Sequence, residues 1–90
     1  MKIIKRKGHI ETFDIEKIKQ SLSSASADIN EPLSESDLKL ISKKVENKLQ
    51  EMNRETTSSY EVFSLVLFVL KDMDFNKLGQ AYCNGSLHFS

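Results

Sequence analysis

Eight of the nine residues from Val62 to Leu70 are apolar, and no other feature of the sequence limits the fold as strongly. A run this apolar must be buried, either as a strand covered on both faces or as a helix surrounded on nearly every side. Periodicity does not separate the two, but the residues before the run do. In Ser58-Ser59-Tyr60-Glu61 the outer pair has the spacing of a capping box, in which each side chain satisfies the other residue's backbone donor. The stretch from 59 to 73 is also longer than an ordinary strand. The prediction is a central helix over about 59–73, buried in a bundle or against a partner. It is too short to span a bilayer, so no membrane association is expected.

Two further stripes at spacings of three and four mark amphipathic helices. Ile15, Ile18, Leu22 and Ala25 follow Asp14, a natural N-cap, and predict a helix over about 15–27. Leu38, Ile41, Val45, Leu49 and Met52 predict another over about 36–52, capped by Ser34 or Ser36, with Lys39, Lys43, Lys44, Glu46 and Lys48 on its solvated side. A short last helix over about 75–83 carries Leu78, Ala81 and Tyr82 and meets Asn84-Gly85 as its stop. The tail is ambiguous, since Leu87 and Phe89 alternate as in a strand and could add a third strand to a hairpin.

That hairpin is expected over about 2–13. Ile3, Ile4, Ile10, Thr12 and Phe13 are β-branched or aromatic, and Lys7-Gly8 sits where a two-residue turn would close them. With that turn Ile3 faces Thr12, Ile4 faces Glu11, Lys5 faces Ile10 and Arg6 faces His9, so each face mixes apolar and ionic groups. Such a hairpin is marginal alone and needs helices beneath it. The predicted architecture is α+β: a four-helix, bundle-like single domain over 1–90, capped by a small hairpin or three-stranded sheet.

Ninety residues suffice for one modest core. Three scattered glycines, at 8, 79 and 85, cannot build a Walker or Rossmann loop, and no nucleophile has an evident base, so catalysis is not expected. Cys83 with His9 and His88 gives no zinc spacing, and a lone cysteine with no apolar leader points to the cytoplasm. Thirteen basic residues balance thirteen acidic ones, which argues against direct nucleic-acid binding by this chain.

Charge is nevertheless uneven: four of the six residues from Lys2 to Lys7 are basic. Lys5 and Arg6 on a strand, with Lys17 one turn into the following helix, can converge on an anion beside that helix's N-terminus. A simpler reading competes, in which basic residues guard a sheet edge, Glu11 neutralises a cross-strand neighbour and Asp14 is only a cap.

The segments I-I-K-R-K-G-H-I-E-T-F-D-I-E-K-I, S-D-L-x-x-I-x-x-x-V-x-x-x-L and S-S-Y-E-V-F-S-L-V-L-F-V-L-K-D-M-D resemble the ATP-cone domain. That domain stands at the N-terminus of many ribonucleotide reductases and within the bacterial repressor of ribonucleotide reductase genes. The likeness runs from Ile3 to about Asp74 and more loosely to Tyr82. Its most specific part is K-R-x-G followed by E-x-F-D-x-x-K-I, and the block from Ser58 to Asp74 looks closest to the repressor's version.

The resemblance implies an allosteric module that binds ATP or dATP, with Mg2+, between sheet and helices. Such a module sets the activity or oligomeric state of a ribonucleotide reductase or its regulator, as host or partner, or of its own homo-oligomer. Carried over, Lys5, Arg6 and Lys17 would hold phosphates, with the Ser59 hydroxyl nearby. Glu11 and Asp14 would contact the adenine end, and Ile3 and Ile18 would line the base pocket. Two departures bear on phosphate binding. No Lys or Arg follows Lys77, where the family commonly has one after its last-helix Ala-Tyr pair, and Lys7 replaces an acidic or amide turn residue. The alternative is a structural or protein-interaction helical domain with reduced or lost nucleotide binding.

Overall fold

The computed structural model describes residues 1–5 and 8–89, the last five as backbone only. The elements run β1 (Lys2–Ile4), β2 (Ile10–Thr12), α1 (Ile15–Asp28), α2 (Glu35–Met52), β3 (Thr56–Ser58), α3 (Ser59–Asp72) and α4 (Asn76–Phe89). The fold is α+β, with four helices and a three-stranded mixed sheet.

The apolar run does form a helix. Its cap is Ser58, whose hydroxyl accepts the Glu61 N–H at 3.1 Å. The Glu61 carboxylate, the other half of the expected capping box, accepts from Arg54 Nη1 at 3.0 and 2.7 Å. Val62, Val66, Val69 and Leu70 are buried, while Phe68 stays exposed under the Lys48 ammonium, 4.7 Å from its ring centre. The helices form a ring in which α1 packs on α2 and α4, and α3 packs on the same two. Leu22, Ile41, Val45, Val66 and Leu70 have no exposed surface at its centre. Phe63 of α3 stacks on Tyr82 of α4 with ring centres 5.6 Å apart.

The other caps follow from side-chain chemistry. Asp14 Oδ1 accepts the Glu16 N–H at 3.0 Å to start α1, and Ser34 Oγ accepts the Asp37 N–H at 3.1 Å to start α2. Asn53 ends α2 in the left-handed region at φ 50°, a conformation asparagine tolerates better than most residues.

Three expectations are corrected. First, the third strand is not the tail but Thr56–Ser58, which pairs parallel to β1 and makes β1 the central strand. The tail instead continues α4 to Phe89, through Asn84-Gly85. A poor helix former such as glycine costs only about 1 kcal/mol relative to alanine, which packing of α4 on α1 and α3 can outweigh. Second, the hairpin register differs by one residue: Lys2 pairs with Thr12, Ile3 with Glu11 and Ile4 with Ile10. Gly8, at φ 82°, donates its N–H to the Lys5 carbonyl at 2.9 Å, and the Lys5 N–H reaches the His9 carbonyl at 2.7 Å. The turn therefore spans one residue more than the two-residue form expected from Lys7-Gly8. Third, that shift changes which side chains share a face. Glu11, Ile3 and Thr57 form one row across the sheet, with Ile3 in the core. Ile4 and Ile10 pair on the opposite, exposed face.

Leu70 is fully buried where α3 meets its neighbours, so Leu70→Ala removes contacts that collapse cannot restore. A loss of about 2–5 kcal/mol in urea unfolding is expected, a large part of the total for a domain of this size. A loss under about 1 kcal/mol would contradict the packing described.

Candidate functional site

The register brings Lys5 two residues beyond Ile3 on the same strand face, with His9 two residues before Glu11. Only Phe13 and Asp14 separate β2 from α1, so the helix's first turn swings Lys17 back over the hairpin. The three basic groups meet at Glu11. Lys17 Nζ donates to Glu11 Oε2 at 3.3 Å, Lys5 Nζ lies 3.7 Å from the same oxygen, and His9 Nε2 lies 3.5 Å from Oε1. The Lys17 hydrogen bond, followed by the charges of Lys17, Lys5 and His9, holds the Glu11 carboxyl below the usual glutamate range, although its partial desolvation works the other way.

Parallel pairing places a second feature beside this cluster. The last register pair is Ile4 with Ser58, so Lys5 and Ser59 leave the sheet side by side, and Ser59 opens α3 half-buried. Backbone N–H groups of a helix's first turn attract anions. Thr57, one residue before the cap, is 3% exposed, and its Oγ1 has no hydrogen-bond partner among the described residues. A buried hydroxyl left unpaired is costly, and this one shares the row of Ile3 and Glu11. Sequence reasoning missed it, because its only local signal is a β-branched Thr-Thr pair before the cap.

The remaining expected residues fall into three groups. Asp14 caps α1, as its sequence position suggests, and its Oδ1 is engaged with the Glu16 N–H. Ile3 and Ile18 are 6% and 7% exposed and belong to the continuous core. Arg6 lies outside the described residues. An open cavity of about 500 Å3 exists elsewhere, lined by Met1, Phe13, Glu46, Leu49, Gln50, Asn53 and Arg54, none of which is an expected site residue. The cluster carries the convergent chemistry, and the cavity has no comparable set of free charges, since Arg54 is already paired with Glu61.

Two lysines from different elements on one carboxylate oxygen, a helix start and an orphaned hydroxyl form an arrangement suited to a phosphorylated ligand. The family comparison agrees with it. The model of the ATP cone domain matches residues 1–84. The chain belongs to the ATP cone domain family. ATP cones are nucleotide-binding regulatory modules that take ATP or dATP and are not themselves catalytic. No curated protein matches this cone. No helix among its described residues is long and apolar enough to cross a membrane. Among the same residues no group of three or more His, Cys, Asp or Glu is placed to hold a metal ion.

The lowered Glu11 pKa has a signed consequence. A carboxyl depressed in the folded cone contributes stability that is present above its unfolded value, about 4.3, and is lost as pH falls through the folded value. Wild type should therefore be more stable than Glu11→Gln at pH 7, and the two urea midpoints should converge as pH is lowered toward 3. A difference that does not change with pH would show that the ion pairs do not act as described.

Proposed function

We propose that this ATP cone senses the cellular supply of ATP and dATP with a nucleotide laid along the inner face of the hairpin, between the sheet and the starts of α1 and α3. Lys5, Arg6 and Lys17 hold the phosphates, with Ser59 and the first turn of α3 adding a hydroxyl and backbone donors. Glu11 and Asp14 meet the adenine end, and Ile3 and Ile18 supply its apolar wall. Magnesium arrives with the triphosphate, bound mainly through phosphate oxygens, as a hard cation with few protein ligands commonly is. The nucleotide then biases the association or activity of a host or partner, a ribonucleotide reductase or its regulator in the cytoplasm, or of the cone's own homo-oligomer.

The observation that carries this reading is the meeting of Lys5 and Lys17 at one oxygen of Glu11. One exposed ion pair is worth only up to about 1 kcal/mol, so lysines on separate elements gain little from sharing a surface carboxylate. The same convergence suits a polyphosphate, whose charge is spread over many oxygens. Thr57 adds support, since its buried hydroxyl has no partner among the described residues and a ribose or phosphate oxygen would supply one. Switching requires that ATP and dATP differ in affinity for the two states they select. Those two ligands differ only by the 2′-hydroxyl, so the difference must be read close to the ribose.

Thermal unfolding in magnesium with ATP, dATP and GTP tests the reading. Ligand at a hundred times its Kd adds about 2.7 kcal/mol, which raises Tm by roughly 10–20 °C in a domain of this size. ATP and dATP should produce that rise, GTP little of it, and Lys5→Ala with Lys17→Ala should abolish it without lowering the ligand-free Tm by more than a few degrees. No rise with either adenine nucleotide would overturn the reading and favour a helical interaction domain.

A further inference from the structure

We infer that Glu11 is an internal stand-in for a ligand phosphate: its carboxylate occupies the point where Lys5 and Lys17 converge, and a bound polyphosphate must displace it. This inference rests on the nucleotide reading above and adds a selectivity device to it.

The geometry is that of an occupied anion site. Glu11 Oε2 sits 3.3 Å from Lys17 Nζ and 3.7 Å from Lys5 Nζ, contacts that a phosphate oxygen between the two ammonium groups would make. His9, on the same strand, holds Oε1 at 3.5 Å, so both carboxylate oxygens are engaged from three sides. The carboxylate keeps the lysines together when no ligand is present, which lowers the entropy cost of gathering them on binding. It also excludes a second anion, because two like charges cannot share that point without strong repulsion. Glu11 is on a strand whose backbone is fixed by pairing with Ile3, so only its side chain has to swing away.

Displacement has a cost, and what the ligand offers in return decides which ligands are accepted. An inorganic polyphosphate breaks the Lys5 and Lys17 contacts and gives the freed carboxylate no donor. A nucleotide carries donors of its own, the ribose hydroxyls and, in adenine, an exocyclic amine. The corresponding position of guanine is a carbonyl oxygen, which a carboxylate repels. Glu11 therefore makes phosphate binding depend on the presence of the correct nucleoside. Bare phosphates, abundant in any cell, are rejected by the same side chain that keeps the site formed.

Calorimetry with tripolyphosphate and with ATP, on wild type and Glu11→Gln, tests this. Glutamine keeps the size of the side chain and removes its charge, and Glu11→Asp, with a shorter reach to the lysines, serves as the second variant. Glu11→Gln should bind tripolyphosphate about tenfold more tightly than wild type does, Glu11→Asp should gain less, and the preference of Glu11→Gln for ATP over tripolyphosphate should fall by a similar factor. Tripolyphosphate affinity that is unchanged or weakened in Glu11→Gln overturns the inference; a purely structural role would weaken it. If wild type binds ATP and the variants show no gain, the stand-in role alone fails. If neither wild type nor variant binds ATP, the nucleotide reading fails with it.

Discussion

Burial of α3 constrains everything else in this domain. Its inner side chains, Val62, Val66, Val69 and Leu70, must be covered from several directions, and α2 and α4 supply that cover. Because α3 begins at Ser59, directly after Ser58 ends β3 and with no intervening loop, fixing the helix also fixes the three residues of β3 that precede it. Pairing with β3 then fixes β1, and β1 carries Ile3 into the core and Lys5 to the edge of the site. A hairpin that would be marginal alone is thereby tied to the most deeply buried helix in the domain. The position of a surface lysine is set, through two strand pairings and one helix cap, by the packing of valines and leucines some distance away.

That chain of dependence explains what the sequence discloses and what it hides. The helices are legible because their information is local: Ile15, Ile18, Leu22 and Ala25 repeat with the helical period, and Asp14 and Ser58 carry side chains that cap. The strand Thr56–Ser58 is not legible, since three residues hold too little alternation and its partner, β1, is more than fifty positions away. The hairpin itself is readable from Ile3, Ile4 and Ile10, but its register depends on whether Gly8 closes a two-residue turn or ends a longer one. Both fit the same letters. Asn84-Gly85 reads as a stop, and local propensity there yields to the contacts of α4.

The candidate site divides along the same line. Lys5 and Lys17 can be brought together from the sequence because one turn of helix follows the hairpin directly. Glu11 can be chosen as a partner for a basic neighbour, yet its place at the centre of three basic groups depends on the register, which only the structure supplies. Thr57 is invisible locally, since a threonine's burial is a tertiary fact. The neutral chain with a basic start is thus resolved into a local arrangement, an acid placed among three bases that approach its two carboxylate oxygens. The cluster touches β1, β2 and α1 and adjoins the start of α3. A ligand bound there contacts elements that reach both sides of the helical ring, which is what a module coupling a small molecule to a distant interface requires.

The central claim is the place where the nucleotide lies, and backbone amide chemical shifts measured during an ATP titration test it most directly. The account predicts that the largest changes fall on residues 3–5, 9–11 and 57–60 and on the first turn of α1 up to Lys17, with the region around Met1, Leu49, Gln50 and Asn53 nearly unmoved. Changes concentrated on that second region, or none along the hairpin at saturating ATP, would contradict it.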